Sequence, residues 1–175
     1  VARVTRQDTG VVVAWNFFEV TDLFPVNGNG QVSLSDADVA HLNTEMKAAG
    51  FEEQLMNDKE PKFVVGEIVE MVAHPDSDHL NIAQVSIGQD QVVQIVAGAP
   101  NARVGMKTIV VLPGAMMPNG ALIFAGQLRG VPSFGMMASP RELALPNAPQ
   151  KRGIIELVPS EVAGTAFSPS QHWHK

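Results

Sequence analysis

The chain has 175 residues, 45% of them hydrophobic and 17% charged, which is enough apolar material for one large domain or two small ones and too apolar for disorder. Cysteine is absent, which excludes disulfides, thiolate metal sites and cysteine nucleophiles and fits a reducing, cytoplasmic setting. The formal charge of −6 has the wrong sign for a generic nucleic-acid binder. That charge is local, however: residues 1–60 hold four Lys and Arg against ten Asp and Glu, and residues 61–175 hold eight of each.

From the amino end, the turn-like Gln7-Asp8-Thr9-Gly10 separates a short strand at Val4 from a β-branched and aromatic return strand, Val11 to Phe18. Pro25 to Gly30 is rich in turn residues and predicts a loop. Ser35 with Asp38 three residues later predicts a capped helix start. Val39, Leu42, Met46 and Ala49 then form one helical stripe, and Gly50 is placed for a C-terminal cap. Residues 1–60 are thus expected to form a small acidic α+β domain, bounded by a polar linker from Asn57 to Pro61.

The pattern then becomes all-β. Strands are predicted at Phe63–Val72, Leu80–Ile87, Val92–Val96 and Thr108–Leu112, with a hairpin extension starting at Ala121–Phe124 and a closing strand at Ile154–Val158. Short strands with frequent Gly and Pro turns predict a small closed barrel over residues 61–168 rather than βαβ units. Residues 169–175, with His172 and His174, read as a mobile C-terminal tail. No run of 18 apolar residues predicts a membrane span, and the amino end lacks the features of a signal peptide. The sequence begins at Val1 rather than Met, which reads as a truncated chain.

No enzyme is expected. Gly130, Ser133 and Gly135 are spaced Gly-x-x-Ser-x-Gly and not as a nucleophile elbow. Phosphate-binding and dinucleotide fingerprints are lacking too. His74, Asp76, Asp78 and His79 are metal-capable side chains, but no second cluster completes a ligand set, so neither metal nor cofactor is expected.

Three loop motifs follow one another in order: His74-Pro75-Asp76-Ser77-Asp78-His79-Leu80, Gln94 to Asn101, and Leu128 to Ser139 followed by Arg141-Glu142-Leu143. Together they resemble the tRNA-binding OB domain near the start of bacterial phenylalanyl-tRNA synthetase β chains. With the acidic amino-terminal unit joined directly to the barrel, the chain is similar to the YtpR-type stand-alone tRNA-binding proteins. The resemblance implies an OB-fold barrel that binds tRNA without catalysis, through overall shape and backbone. It also leaves room for a homodimer, some relatives pairing their barrels, and for a protein partner of the amino-terminal domain. The alternative is a protein-interaction module derived from such a domain, with little or no RNA affinity.

Site residues follow from the same resemblance. Ser133, Gly135 and Ser139 would line the RNA surface, glycine by allowing close approach and the serines by offering hydroxyls. Phe134 would stack on an unpaired base, or Phe134 and Met136, both in the RNA-lining segment, would simply plug the barrel end, the core role suiting Met136 best. Asn101 would meet a base edge or a 2′-hydroxyl, or simply form a turn. His79 stands where the family has Lys or Arg, which removes one expected phosphate contact; the loop around it has an equally good structural reading through Pro75 and its Asp side chains. Arg129, with its planar fork, is the leading phosphate ligand. Arg103 and Lys107 are further phosphate partners or ordinary solvated cations.

Overall fold

The computed structural model describes residues 1–28 and 30–174; Asn29 of the predicted loop and Lys175 of the predicted tail lie outside them. The chain separates into two compact units, Val1–Gly28 with Val32–Lys59, and residues 60 onward together with Gly30 and Gln31.

In the first unit β1 (Ala2–Thr5) and β2 (Val12–Asn16) form an antiparallel hairpin. The return strand is shorter than expected, and Phe17 and Phe18 lie beyond its end. α1 (Asp36–Ala48) begins with the anticipated capping box: Ser35 accepts from the Asp38 amide while Asp38 accepts from the Ser35 amide. This reciprocal exchange satisfies two amides that a helix start leaves unpaired. Val39, Leu42 and Met46 are buried, but Ala49 is the exposed C-cap rather than a member of the stripe. Trp15 meets Phe51 edge-on at 4.8 Å.

The second unit is mostly β. β3 (Phe63–Ala73), β4 (Asn81–Ser86), β5 (Val92–Ala97), β6 (Lys107–Val111) and the two-residue β9 (Met136–Met137) make one antiparallel sheet in the order β5-β4-β3-β6-β9. β3 is the hinge of this sheet. Its first half pairs with β6 and its second half with β4, with a register shift between Ile68 and Glu70. Such a shift increases bending and twist, which lets a single strand serve two walls of a barrel.

The expected hairpin extension is present but starts later, just past Ala121–Phe124, as β7 (Ala125–Leu128) and β8 (Val131–Phe134). It nearly closes the cylinder, because the Val96 amide of β5 donates to Ser133 Oγ at 3.1 Å and Gln94 Nε2 donates to the Pro132 carbonyl at 2.7 Å.

Burial on both faces of the first half of β3 and of β6 explains their apolar runs. Val64, Ile68 and Val110 pack with Val85, Ile95 and Met137 in one core cluster. Val65, Ile109 and Val111 pack in a second beneath Leu143, Leu145, Ile155 and Leu157. Alternating side chains point to opposite faces, so a strand buried on both sides needs apolar residues at every position.

The predicted closing strand at Ile154–Val158 is instead an irregular segment. The Ile155 amide donates to Ala138, the Leu157 amide to Lys107, and buried Thr108 Oγ1 to Ile155. The predicted mobile tail is also corrected. α2 (Pro169–His172) docks its His172 ring, 2% exposed, with Nε2 3.4 Å from Glu161, and Trp173 Nε1 donates to the Pro146 carbonyl. Phe167 and Trp173 pack on the second core cluster, and that apolar burial holds the end in place. No described helix is long and apolar enough to cross a membrane.

Candidate functional site

The β7–β8 hairpin turns through Arg129 and Gly130, both at positive φ (46° and 80°). Two consecutive left-handed residues are what a two-residue hairpin loop requires. The tip is clasped to the His74–Leu80 loop. The Asp76 amide donates to His74 Nδ1 at 3.0 Å, so Nε2 carries the hydrogen and donates it to the Leu128 carbonyl at 3.2 Å. Arg129 Nη1 adds a 2.8 Å bond to the Asp76 carbonyl. Buried His74 therefore has a structural task, joining the two loops. The guanidinium of Arg129 spends one donor on that junction and faces no carboxylate within ion-pair distance among the described residues. Of the same loop, His79 is exposed and bonded to Asp78 Oδ1 at 2.8 Å. That contact holds the Asp78 carboxyl below its ordinary value.

At the root of the hairpin the serine motif points inward. Ser133 is 5% exposed, its oxygen accepting from Val96 and its hydrogen going to the Gly135 carbonyl. The expected hydroxyl contact with phosphate or sugar gives way to barrel closure. Gly135 has φ 124° and backs onto the strand beside it: a Cβ there would lie 2.5 Å from the Val111 carbonyl oxygen. Its close approach is to the protein's own backbone. Met136 is half-buried against the second core cluster, which suits the plugging role. Alternation then turns Phe134 outward, 45% exposed.

The remaining predicted contacts are also committed within the fold. Asn101 Nδ2 donates to the Ile154 carbonyl at 2.9 Å and its Oδ1 accepts from the Ile154 amide at 3.0 Å. Gly153 makes room for this clamp, as a Cβ on it would lie 2.7 Å from Asn101 Oδ1. Arg103 pairs with Glu156, which holds its guanidinium pKa above the ordinary value. Lys107, its side chain only 14% exposed, pairs with Glu67 at 2.6 Å. Ser139 and Glu142 cap one another across a turn, with amide and hydroxyl bonds of 2.7 and 2.6 Å to the Glu142 carboxylate.

Sequence reasoning passed over three cations. Arg141 and Arg152 line a groove of about 240 Å³ with the Gly98–Pro100 loop and Ser139. Lys151 and Arg152 line a neighbouring one of about 210 Å³, bounded by Asn101 and Trp173. All three are exposed, and their side chains form no hydrogen bond or ion pair among the described residues. The adjacent Lys151-Arg152 pair was a legible signal; its nearness to Arg141 was not. Those described residues hold no cluster of His, Asp and Glu suited to a metal.

Fold and site together define a β-barrel domain whose available groups sit on loops and shallow grooves. The chain belongs to the family described as "Putative tRNA binding domain", which matches residues 63–166. Residues 1–58 match a second family, "Domain of unknown function (DUF4479)". The chain is 40% identical over 167 residues to "Putative tRNA-binding protein YtpR" of Bacillus subtilis, covering 95% of this chain and 83% of the relative. It is 42% identical over 127 residues to the phenylalanine–tRNA ligase beta subunit of Rhodospirillum rubrum, covering 70% of this chain but only 16% of that subunit. Among solved structures, a MetRS-related protein from Pyrococcus horikoshii aligns with TM-score 0.43 and 22% identity, over 61% of this chain and 88% of that one.

Proposed function

We propose that this chain binds tRNA and catalyses nothing on it, through an OB-fold barrel that reads backbone and shape. The carrying observation is that the family match covers the barrel whose β7–β8 hairpin carries Arg129 in its turn and an exposed Phe134 at its root. A guanidinium fork suits phosphate oxygens and an exposed ring suits an unpaired base. In this reading residues 1–60 are a separate α+β domain with a protein partner of its own, two barrels pair on one tRNA, and the protein works in the cytoplasm.

Few phosphate contacts imply modest affinity, with a dissociation constant of about 10⁻⁴–10⁻⁶ M. Labelled tRNA titrated at low and moderate salt tests the reading. A fourfold rise in salt should weaken binding about 10–100-fold for two to four phosphate contacts. Arg129→Ala should weaken binding at low salt and lower the salt slope by about one, with the melting temperature lowered only slightly, by the loss of the single exposed bond to the Asp76 carbonyl. Absence of binding even at low salt overturns the proposal and favours a protein-interaction module.

A further inference from the structure

We infer that the two adjoining grooves around Arg152 form a second seat for this RNA, one that takes successive backbone phosphates apart from the hairpin rim; the inference rests on the tRNA-binding reading. Charge pairing carries the argument. Among the described Lys and Arg of the barrel unit, Lys62, Arg103 and Lys107 each have a carboxylate within 4 Å. Arg129, Arg141, Lys151 and Arg152 have none, and three of these four line the two grooves. The carboxylate of Glu142 also lines the first groove, and the amide and hydroxyl of Ser139 already occupy one of its oxygens. Glu156, in the second, is engaged by Arg103.

The surrounding fold brings these like charges onto the walls of two adjoining grooves. Asn101 clamps Ile154 and the Arg103–Glu156 pair grips the same segment, which anchors the chain directly after Lys151 and Arg152. The Ser139–Glu142 turn fixes Arg141 across the groove. Repulsion among neighbouring cations is relieved by an anion that all of them reach. The grooves share the wall Arg152-Gly153-Ile154, an arrangement that fits two consecutive phosphates of one strand better than a single free phosphate. Docked Trp173 borders the second groove.

The experiment is tRNA titration over a salt series with the full chain and the triple variant Arg141→Ala, Lys151→Ala, Arg152→Ala. Each lost phosphate contact lowers the salt slope by about one, so the triple variant should show a slope smaller by two to three and an affinity at low salt reduced at least about tenfold. Arg141→Lys with Arg152→Lys should keep the slope, because charge and reach survive. Should the triple variant fold poorly by its melting curve, Lys151→Gln with Arg152→Gln reads the same quantity with an expected slope loss of about two. Unchanged slope and affinity in the substituted proteins, with the parent chain binding, overturn the second seat and leave the tRNA-binding reading standing. Failure of the parent chain to bind at low salt overturns both.

Discussion

The β7–β8 hairpin and the segment from Ser139 to Glu156 both border candidate binding surfaces, yet they divide their residues differently. In the hairpin the short motif residues Ser133 and Gly135 turn into the barrel, and the bulky Phe134 and Arg129 remain outside. In the later segment Ser139 and Glu142 bond to each other, Ile154 is clamped by Asn101, and Arg141, Lys151 and Arg152 are left free. The small, polar residues that make the motifs recognisable build the surfaces. Long side chains beside them are the ones available to a ligand. The hairpin presents a ring and one cation, the later segment three cations, so removing the ring and removing the groove cations should differ in their dependence on salt.

The largest expected effect tests the building role. Gly135→Val places a β-branched residue at φ 124° with its Cβ 2.5 Å from a backbone oxygen that has nowhere to move. Strain and clash together should cost about 3 kcal/mol, read as a lower urea midpoint at unchanged m-value. Gly130→Ala at the hairpin tip is the contrast. Its φ is 80° with nothing within 4 Å of the added carbon, so only the left-handed penalty of about 1–2 kcal/mol applies. Equal costs at the two glycines would mean the root of the hairpin is looser than its geometry indicates.

Ser133→Ala comes next. It removes the acceptor of the Val96 amide inside a closed seam, and a buried donor left unmatched costs about 1–3 kcal/mol. Denaturation should show that loss, while tRNA affinity measured on the folded fraction should stay close to the parent value. A protein of normal stability with much weaker binding would return Ser133 to the role of RNA ligand that its motif suggests.

These contrasts mark what was legible in the sequence. Alternation and β-branched runs located most barrel strands to within a residue or two, because β6 and the first half of β3 are buried on both faces and β4 and β5 are bounded by turns. Ser35 with Asp38 located the helix start, since a capping box is written in two neighbouring side chains. The hairpin extension was expected, but its strands were placed too early because Gly126 and Pro132 give them little strand character; their pairing comes from the Arg129-Gly130 turn and the seam with β5. The Ile154–Val158 run reads as a strand because it is apolar, but its bonds alternate between Ala138, Lys107 and Thr108 and no single ladder forms. For the site, the loops were legible and the direction of each side chain was not. Arg103 and Lys107 looked free until Glu156 and Glu67, 53 and 40 residues away along the chain, were brought beside them.

Phe134→Ala is the smallest effect and the sharpest comparison with the basic grooves. Phe134 projects from β8 opposite Ala125, a small neighbour that leaves the ring half open to water. Truncation there removes little core packing, so the melting temperature should hardly move. Stacking of a base on an aromatic face is worth about 1–3 kcal/mol by alanine substitution, and a ring already partly covered belongs at the low end, about 1 kcal/mol or roughly fivefold in affinity. Because a ring releases no counterions, the salt slope should equal that of the parent chain. The loss should also be the same at low and moderate salt, whereas removing Arg141, Lys151 and Arg152 should be felt most at low salt. A Phe134→Ala protein whose affinity matches the parent at every salt concentration would remove the hairpin ring from the binding surface and leave the grooves as its main part.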